Sequence, residues 1–569
     1  MQKQEKDQIV YTLSAKCRDC YRCLKACPVK AIKMNNGQAY VIKERCISCG
    51  TCIKECPQGA KTFRSDTASV KALISSGALV AASVAPSFPA FYNEWECLRL
   101  ASALRKLGFS FIGQTSQGAY RVAQASVNFK NRRNKKVAVS TACPALVGYI
   151  KTYAKEHLPS LCEVLSPMHA HAAMLKDQFG DSCKVVFIGP CIAKKAEIEW
   201  EEFAGRIHAA LTFSELEAWM KEENIELKNC AESSFDEPPA GTASLFPLSG
   251  GMLKTAGLDS ESNTSSRYVN PAGLKNSLEA IEWAVNSDED VFIEPLFCNE
   301  GCINGPGAGR DGNTYERRLR LTRFAAENIK LPEGKTDDAL FEMKVREGKA
   351  IIRGEIDQEK IREALLKVGK VTENDHLNCG ACGYNTCKEK AEAVVLGMAE
   401  AEMCIPWMRR LAEQRTDKII ETSPNGILIL DKDLAIINMN ASFRSYFNAT
   451  DAVFGRHISY LMDPKLFEKV ASGSTDKIEG IVTHSAYNLV MHQIVYALKE
   501  EKQYVGIFVD ITSLRMNEKK LDKMKEQTIT QAKELLEHQI KMAHEMAMLL
   551  GRNTAKGEEI VSKLMSFED

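Results

Sequence analysis

Two cysteine runs near the N-terminus constrain the fold of this chain more than any other feature. Residues 17–28 read CRDCYRCLKACP and residues 46–57 read CISCGTCIKECP, so both follow the spacing C-x2-C-x2-C-x3-C-P. Three thiolates on one tight loop can bind three irons of a cubane, but the fourth iron needs a cysteine from further along the chain. The proline that ends each run turns the backbone away from the bound metal. The pattern therefore predicts two metal centres bound by thiolates.

Cysteine usage in the rest of the chain favours the same chemistry. The chain has 569 residues and 20 cysteines. Disulfides are disfavoured, because the N-terminus MQKQEKDQIV has no apolar signal core and a chain of this size needs no covalent staples. We therefore expect a cytoplasmic protein with metal-bound thiolates. Zinc, which usually takes its four ligands in two pairs, is the alternative.

Charge and hydropathy argue against two classes of partner. Lys plus Arg and Asp plus Glu both number 74, so the formal net charge is zero and nothing favours a nucleic acid. No run approaches the roughly 18 consecutive apolar residues of a membrane span, so we expect no membrane partner. The length corresponds to roughly three to five domains.

The two runs resemble those of bacterial two-cluster ferredoxins, and we assign residues 1–66 to such a domain. In that family the last cysteine of each run binds the other cluster. The resemblance implies one 4Fe-4S cluster on Cys17, Cys20, Cys23 and Cys56, and a second on Cys46, Cys49, Cys52 and Cys27.

Residues 75–335 alternate apolar and amphipathic stretches, which predicts an α/β domain. The apolar runs predict strands and the amphipathic stretches predict helices. The strands are expected at Leu79–Val84, Lys136–Val139 and Lys184–Ile188, and the helices at Leu98–Leu107 and Phe213–Glu222.

Three segments of this domain carry widely separated cysteines: VSTACPALVGYI at 139–150, FIGPCIAKKAEIE at 187–199 and IEPLFCNEGCINGPG at 293–307. Together they resemble the three signature motifs of the FeFe-hydrogenases. The resemblance implies an H-cluster, in which a 4Fe-4S cubane joins a diiron subsite with CO and CN ligands. Four unrelated buried cysteines are the alternative. The implied ligands are Cys143, Cys191, Cys298 and Cys302, of which Cys302 bridges the two parts.

The same resemblance implies roles for further residues of the pocket. Lys194 would donate to a cyanide ligand of the diiron subsite, and Glu197 follows at the family's spacing. Two weaker matches, the segments VAPS and LFPLSGGM, resemble loops that line the diiron pocket. They point to Pro86, Ser87, Phe246 and Ser249.

Other positions depart from the catalytic pattern of that family. The proton-relay cysteine of the first motif is Ala142, and the glutamine near the diiron unit is Met168. Leu296 and Gly189 replace methionines, and the upstream acidic relay aligns with YRVAQAS at 120–126, which has no carboxylate. A positioned acid or base contributes roughly 10²–10⁴ in rate, so its loss predicts slow turnover. The combination resembles the sensory FeFe-hydrogenases, which carry a similar substitution and an appended PAS domain.

A further cysteine cluster follows the hydrogenase-like domain. Residues 379–404 have the spacing C-x2-C-x4-C-x16-C, and residues 340–410 resemble the small 4Fe-4S domain of corrinoid iron–sulfur proteins. A helix predicted at Lys388–Ala401 would return the last cysteine to the cluster. Zinc is again the alternative. The resemblance implies a 4Fe-4S cluster on Cys379, Cys382, Cys387 and Cys404.

The last part of the chain lacks cysteine. Residues 411–514 resemble a PAS domain, with two strands around a turn at Asp431–Asp433, a helix that opens near Asn440 and a closing apolar strand. Residues 515–569 read as a helical signalling tail. A helix that dimerises and a single amphipathic helix on the PAS surface are equal alternatives. The apolar register consists of Leu514, Leu521, Leu535, Met542 and Leu549.

The predicted fold class is multidomain α/β and α+β: a two-cluster ferredoxin-like unit, an FeFe-hydrogenase H-cluster domain, a small 4Fe-4S module, a PAS domain and a C-terminal helix. The predicted function is hydrogen or redox sensing by an FeFe-hydrogenase of low turnover. The expected partners are H2 and protons, a redox protein such as ferredoxin, a downstream signalling protein and a second copy of the chain. The alternatives are a catalytic ferredoxin-linked FeFe-hydrogenase and a non-catalytic iron–sulfur protein of hydrogenase-like type.

Overall fold

The computed structural model describes residues 8–258, 267–309, 312–328, 330–332, 338–348, 356–512 and 528–548. The chain divides into two compact units, Met1–Ala401 and Glu402–Asp569, and each is described by itself. Within the described ranges, no helix is both long enough and apolar enough to cross a membrane.

The first unit begins with a small cysteine-rich domain. β1 pairs with β4 and β2 pairs with β3, both antiparallel. The two helices begin inside the cysteine runs, so that Cys23 and Cys52 project from helices while the other cysteines of the runs lie in loops. The elements are β1 (Val10–Thr12), α1 (Arg22–Ala26), β2 (Ile32–Asn35), β3 (Gln38–Val41), α2 (Thr51–Lys54) and β4 (Lys61–Phe63).

The next domain has the expected α/β architecture. All five strands and helices predicted from its apolar pattern are confirmed, with shifts of a few residues at their ends. Its elements are α3 (Thr67–Ser75), β5 (Val80–Val84), α4 (Glu94–Lys106), β6 (Phe111–Gln114), α5 (Ser116–Arg132), β7 (Val137–Val139), α6 (Pro144–Tyr153), α7 (Pro167–Phe179), β8 (Lys184–Gly189), α8 (Ala193–Glu197), β9 (Ala209–Thr212), α9 (Phe213–Glu222), α10 (Gly251–Thr255), β10 (Arg267–Val269), α11 (Leu274–Asn286), β11 (Val291–Ile293) and α12 (Thr314–Glu327).

Two parallel sheets form the core of this domain. Their strand orders are β6-β5-β8-β9 and β10-β11-β7. Every residue of β5 is buried, which is typical of a parallel strand whose sheet is covered on both faces. Parallel strands bring their carboxyl ends to one edge of a sheet, and α/β proteins commonly bind ligands there.

Two helices, α13 (Gln358–Leu366) and α14 (Cys387–Val395), follow and pack against each other. α14 begins at Cys387 because Thr386 Oγ1 accepts a hydrogen bond from Glu389 N at 3.0 Å. The helix predicted at Lys388–Ala401 is wrong in its last part. The chain leaves the helix through Gly397, whose φ of 65° is a conformation that commonly follows a helix end.

The second unit contains a five-stranded antiparallel sheet of order β13-β12-β16-β15-β14. Phe443, Phe467 and Phe508 belong to the apolar core of this unit. The predicted helix start is confirmed, because Asn440 Oδ1 accepts a hydrogen bond from Phe443 N at 3.0 Å. The elements are α15 (Ile405–Thr422), β12 (Gly426–Leu430), β13 (Ile436–Met439), α16 (Ala441–Phe447), α17 (Lys465–Ala471), β14 (Lys477–His484), β15 (Leu489–Leu498) and β16 (Gln503–Asp510).

Residues 528–548 form a further helix of the second unit. Leu536 packs against apolar residues of the sheet, and Lys533 Nζ lies 3.2 Å from a Glu479 carboxylate oxygen. Two residues of the predicted apolar register, Leu535 and Met542, are exposed. The other three, Leu514, Leu521 and Leu549, lie outside the described residues.

Candidate metal centres

A cavity lies where the carboxyl ends of strands from both parallel sheets meet. The segments that follow β5, β6, β7, β8 and β11 all contribute to its wall. Its volume is about 100 Å³, several times the ~10–15 Å³ that one water needs, so the site has room for a polyatomic group. One residue from each of these segments, in strand order, is Pro86, Thr115, Cys143, Cys191 and Cys298.

The four cysteines of the three hydrogenase-like motifs all line this cavity. The pKa of Cys191 is raised to about 11, chiefly by burial and secondly by the neighbouring Cys143 thiol. Burial also raises the pKa of Cys298 and of Cys302, and the other thiols of the cavity add to the effect. Metal binding stabilises the thiolates that burial disfavours, so these four partly buried thiols, which line one cavity, form a donor set for a metal cluster.

Lys194 lies on the cavity wall at the start of α8. Its Nζ donates to Glu197 Oε2 at 2.7 Å and to Ser166 Oγ at 3.0 Å. The Lys194 charge lowers the pKa of Cys191 and of Cys302 against the larger effect of burial. Because Glu197 is itself buried, the pair holds the ammonium at the cavity wall and away from bulk solvent.

Ser87 provides a test of whether an H-cluster fits this cavity. Its Oγ is buried and finds no hydrogen-bond partner among the residues that the structure describes, although Ser87 lines the cavity. Buried hydroxyls are normally hydrogen-bonded. A bound group with an acceptor, such as a cyanide ligand, fits this hydroxyl. Apolar wall residues surround the same space, among them Pro86, Met168 and Phe246.

Residues that depart from the hydrogenase pattern are found at or near the wall. Ala142 and Leu296 contribute apolar groups to it. A Cβ at Gly189 would lie 2.7 Å from Ala85 Cβ, so a larger residue does not fit there. The expectation that Ser249 lines the pocket is wrong, because its hydroxyl donates to a backbone carbonyl and the residue does not reach the cavity.

A hydrogen-bonded chain of four side chains, which no sequence motif predicts, ends at the cavity. Glu237 Oε2 lies 2.8 Å from His171 Nε2. On the other side of the ring, His171 Nδ1 lies 2.8 Å from Ser83 Oγ, which in turn lies 2.8 Å from Thr115 Oγ1. Glu237 keeps 18 % of its side chain exposed and Thr115 lines the cavity, so the chain joins surface to cavity. Gly113 makes room, since a Cβ there would lie 2.9 Å from His171 Cε1.

In the ferredoxin-like domain, the first three cysteines of one run meet the last cysteine of the other. Burial raises the pKa of Cys23 to about 11 against the opposing charge of Lys61. The thiols of Cys20, Cys17 and Cys56 raise the same pKa and are therefore its neighbours. The same four cysteines line one small cavity.

The second set has the reciprocal composition. Burial raises the pKa of Cys46 to about 12, with further increases from Cys49 and Cys27. Burial likewise raises the pKa of Cys52, and the same three thiols add to it. The two crossed groups are those expected for a two-cluster ferredoxin fold. In the described ranges, no three His, Cys, Asp or Glu side chains converge tightly enough to hold one single metal ion.

The second ferredoxin-like set adjoins the large cavity. Cys49 itself lines that cavity. A Cβ at Gly50 would lie 2.7 Å from Pro306 Cβ, and its φ of 75° also favours glycine. Lys54 Nζ donates to Asn304 O at 3.0 Å. These contacts make the sites of two predicted clusters immediate neighbours.

The cysteines of the third predicted cluster are divided between the two units. Cys379, Cys382 and Cys387 occupy a loop and the start of α14 in the first unit, and Cys387 N donates to Asn378 Oδ1 at 2.8 Å. Cys404 belongs to the second unit, where it is buried and directly precedes α15.

Three protein-family models match segments of the chain. Residues 78–306 match the C-terminal domain of the iron only hydrogenase large subunit. Residues 9–57 match a 4Fe-4S dicluster domain, and residues 375–406 match an Fe-S cluster family. The chain is thus an iron–sulfur protein, and its α/β domain is of the FeFe-hydrogenase type.

Solved structures with similarity to parts of the chain belong to two groups. HydA(deltaEFG), reported for stepwise assembly of the FeFe-hydrogenase H-cluster, is 17% identical and covers 50% of this chain and 99% of its own, with a TM-score of 0.39. A variant of FeFe-hydrogenase HydA1 from Chlamydomonas reinhardtii is 18% identical, with coverages of 50% and 100% and a TM-score of 0.39. The PAS domain of an HTR-like protein from Haloarcula marismortui is 26% identical, with coverages of 18% and 97% and a TM-score of 0.16.

Proposed function

We propose that this protein is a hydrogen- or redox-sensing FeFe-hydrogenase with low turnover. The observation that supports it best is a single cavity in which four thiols converge with the Lys194 ammonium, while the proton-relay position is the methyl group of Ala142. A bare cubane needs thiolates but no buried cation. Lys194 and the unpartnered Ser87 hydroxyl therefore favour a diiron subsite beside the cubane.

In this proposal the four cavity thiols would hold the cubane, and Cys302 would also hold the diiron subsite. The diiron unit supplies the reversible conversion of H2 into two protons and two electrons. Lys194, which Glu197 holds in place, and the Ser87 hydroxyl would donate hydrogen bonds to the two cyanide ligands. The apolar wall excludes water from the site, chiefly through Pro86, Met168 and Phe246.

Proton delivery is the step in which this chain differs from a fast enzyme. The side chain of Ala142 carries no exchangeable proton, and a positioned acid or base is worth roughly 10²–10⁴ in rate. Reversible binding of hydrogen tolerates slow proton exchange, whereas continuous turnover does not. This difference favours sensing over bulk hydrogen production or uptake.

A second candidate function is a working ferredoxin-linked FeFe-hydrogenase, and one observation favours it. The chain Glu237–His171–Ser83–Thr115 offers four exchangeable groups in hydrogen-bond contact between surface and cavity. A proton taken up at the Glu237 carboxylate can pass through the imidazole and two hydroxyls to the wall. In this candidate the cysteine relay is replaced by another route rather than lost.

Electrons leave or enter through the iron–sulfur clusters of the ferredoxin-like domain, which we propose are loaded on the two crossed cysteine sets. A soluble redox protein such as a ferredoxin is the matching electron partner. The second unit is proposed to be a PAS sensor domain whose signal passes through the helix at 528–548 to a separate signalling protein or a second copy of the chain.

Infrared spectroscopy of the full chain, matured with a synthetic diiron complex, tests the proposal. We expect CO and CN bands together with hydrogen turnover far below that of a standard FeFe-hydrogenase measured alongside. Turnover equal to the standard would favour the second candidate. Absence of the bands would overturn both and leave the non-catalytic iron–sulfur protein.

A further inference from the structure

The cluster loop of the third module rests on helix α1 of the ferredoxin-like domain. Gly383 has a φ of 88°, and a Cβ at this position would lie 3.1 Å from Leu24 Cγ and 3.3 Å from Lys25 N. A residue without a side chain thus brings the backbone next to Cys382 into contact with α1. That helix carries Cys23 and ends beside Cys27, one cysteine from each of the two crossed sets.

A half-buried lysine joins the two domains at the same point. Lys30 Nζ donates to Gly383 O at 3.0 Å, and to Leu24 O at 3.2 Å on the ferredoxin side. Burial lowers the pKa of Lys30, and the nearby groups of Cys27, Glu389 and Cys382 act in the opposite direction. A single ammonium therefore lies between the proposed ligands of two different clusters.

A second contact, on the far side of α14, holds the module in the same orientation. Met34 N, on β2, donates to Met398 O at 2.9 Å. Two backbone amides of the turn between β2 and β3 donate to the Glu400 carboxylate. Asn36 N donates to Oε1 at 2.6 Å, and Gly37 N donates to Oε2 at 3.4 Å. The module is thus anchored through residues on both sides of its cluster loop and helix.

We propose that the third cluster is a branch of the ferredoxin-like electron chain, and that Lys30 is a positioning residue that holds the two domains together and sets the potentials of the clusters on either side. This inference rests on the proposed function, because it requires loaded clusters. The step is a one-electron exchange in which the Cys27 cluster is reoxidised as the third cluster is reduced. No atoms are transferred, and hydrogen oxidation at the large cavity supplies the electrons.

The arrangement gives the third cluster a defined role. The large cavity adjoins the set that contains Cys49, and that set adjoins the third module through Cys27 and Lys30. The third cluster therefore reports the redox state of the ferredoxin-like clusters and not that of the cavity directly. In the sequence, its proposed last ligand, Cys404, directly precedes α15, the first helix of the second unit.

A redox titration of the full chain, followed by electron paramagnetic resonance, tests the role of Lys30. A cation beside a cluster favours the more negative reduced state, so Lys30→Gln is expected to lower two midpoint potentials together. Lys25→Gln is the matched control: Lys25 lies on α1, five residues before Lys30, but is exposed, so solvent and salt screen its charge and a much smaller shift is expected. A shift at only one cluster, or none, would overturn the proposal.

Spin–spin interaction provides a second measurement that does not depend on activity. We expect broadened ferredoxin-type signals in the fully reduced protein, and sharper ones in Cys382→Ala, which should lose the third cluster. If Lys30→Gln does not retain its clusters, Glu400→Ala takes its place, since loosening the second contact must also weaken the broadening. Unbroadened signals in the unmodified protein, or failure to load a third cluster, would contradict the branch.

The outcomes separate this inference from the proposed function. Infrared CO and CN bands without coupling between the clusters would overturn the branch alone. Coupling without those bands, observed after chemical reduction, would overturn the hydrogen-sensing function and leave the electron branch standing.

Discussion

Lys194 Nζ and Glu197 Oε2 lie 2.7 Å apart as a buried pair, and the ammonium of that pair forms part of the cavity wall. The two residues are on one short helix that begins two residues after a predicted cluster ligand, Cys191. The carboxylate therefore fixes where the positive charge sits relative to anything bound in the cavity. This relationship can be tested without disturbing a single thiol.

Glu197→Ala should destabilise the hydrogenase-like domain and also alter the bound group. Removing one partner of a buried pair leaves an uncompensated charge and costs about 3–5 kcal/mol. Glu202→Ala is a matched control, because Glu202 forms a comparably buried pair with Lys151 outside the cavity wall. We expect both variants to unfold more easily, but only Glu197→Ala to shift the CN bands. Equal infrared spectra would remove Lys194 from its proposed role.

Cys302→Ala should abolish the CO and CN bands while the other clusters are retained. Cys302 is the cavity thiol assigned to bridge the cubane and the diiron subsite. Iron analysis should fall by at least the two irons of that subsite. Cys183→Ala removes a buried cysteine outside the motifs and should leave the spectrum unchanged. Bands that survive the loss of Cys302 would show that the bridging role belongs elsewhere.

The sequence was most informative where chemistry depends on local spacing. The C-x2-C runs and the three hydrogenase-like motifs identified thiols that the structure brings together, because each ligand position is tied to a short loop or strand end. The same reasoning located Asn440 at the start of a helix, since its side chain caps the next turn. It overestimated α14, because Gly397 ends a helix whose composition otherwise continues.

Relationships between distant segments could not be predicted from the sequence. Ser83, His171 and Glu237 belong to three separated segments, and none stands in a pattern that reveals its partners. Lys30 and Gly383 meet across 353 positions. Such contacts depend on how whole domains pack, so the sequence carries no local signal for them. Glycines such as Gly113 and Gly383 occur where a side chain would obstruct the contact, but a glycine in the sequence does not identify the residue that approaches it.

The second unit should lose stability in acid because of a buried histidine. Burial lowers the pKa of His484, whose ring packs edge-on against Phe447. Between the ordinary histidine pKa and the lowered pKa, the unfolded chain therefore binds a proton at His484 that the folded unit does not bind. The free energy of unfolding falls as the pH drops through this range. The slope is at most about 1.4 kcal/mol per pH unit for one proton.

Hydrogen exchange in β14–β16 of the full chain, compared at pH 7.5 and 5, measures this effect. His484→Phe keeps an aromatic ring in the core and should flatten the pH dependence. Some dependence should remain from His492, whose pKa burial also lowers. His457→Phe replaces an exposed histidine and is the control: losing its contact with Ser459 should lower stability equally at both pH values and leave the pH dependence unchanged. An unaltered slope in His484→Phe would assign the acid sensitivity to another group.

The final prediction separates the two candidate functions through proton delivery. Ala142→Cys restores an acid–base group at the relay position. The next group of the relay is still missing, because residues 120–126 contain no carboxylate. The rate of hydrogen turnover should therefore rise measurably, yet by less than the roughly 10²–10⁴ that a complete relay contributes.

Glu237→Gln addresses the other route, because an amide cannot take up the proton that His171 must receive. If turnover in the unmodified chain uses this route, Glu237→Gln should lower the rate and change its pH profile while the infrared bands stay intact.

Glu232→Gln is the matched control for the second variant, since Glu232 is on the same segment but pairs with Arg99 at the surface. Under the sensing proposal, Ala142→Cys changes the rate and Glu237→Gln does not. Under the catalytic candidate, Glu237→Gln reduces turnover and Ala142→Cys adds little to a route that already works. If neither variant alters the rate or the resting redox state, slow proton delivery is not what limits the site, and the apolar residues Met168 and Leu296 on the wall become the groups to replace next.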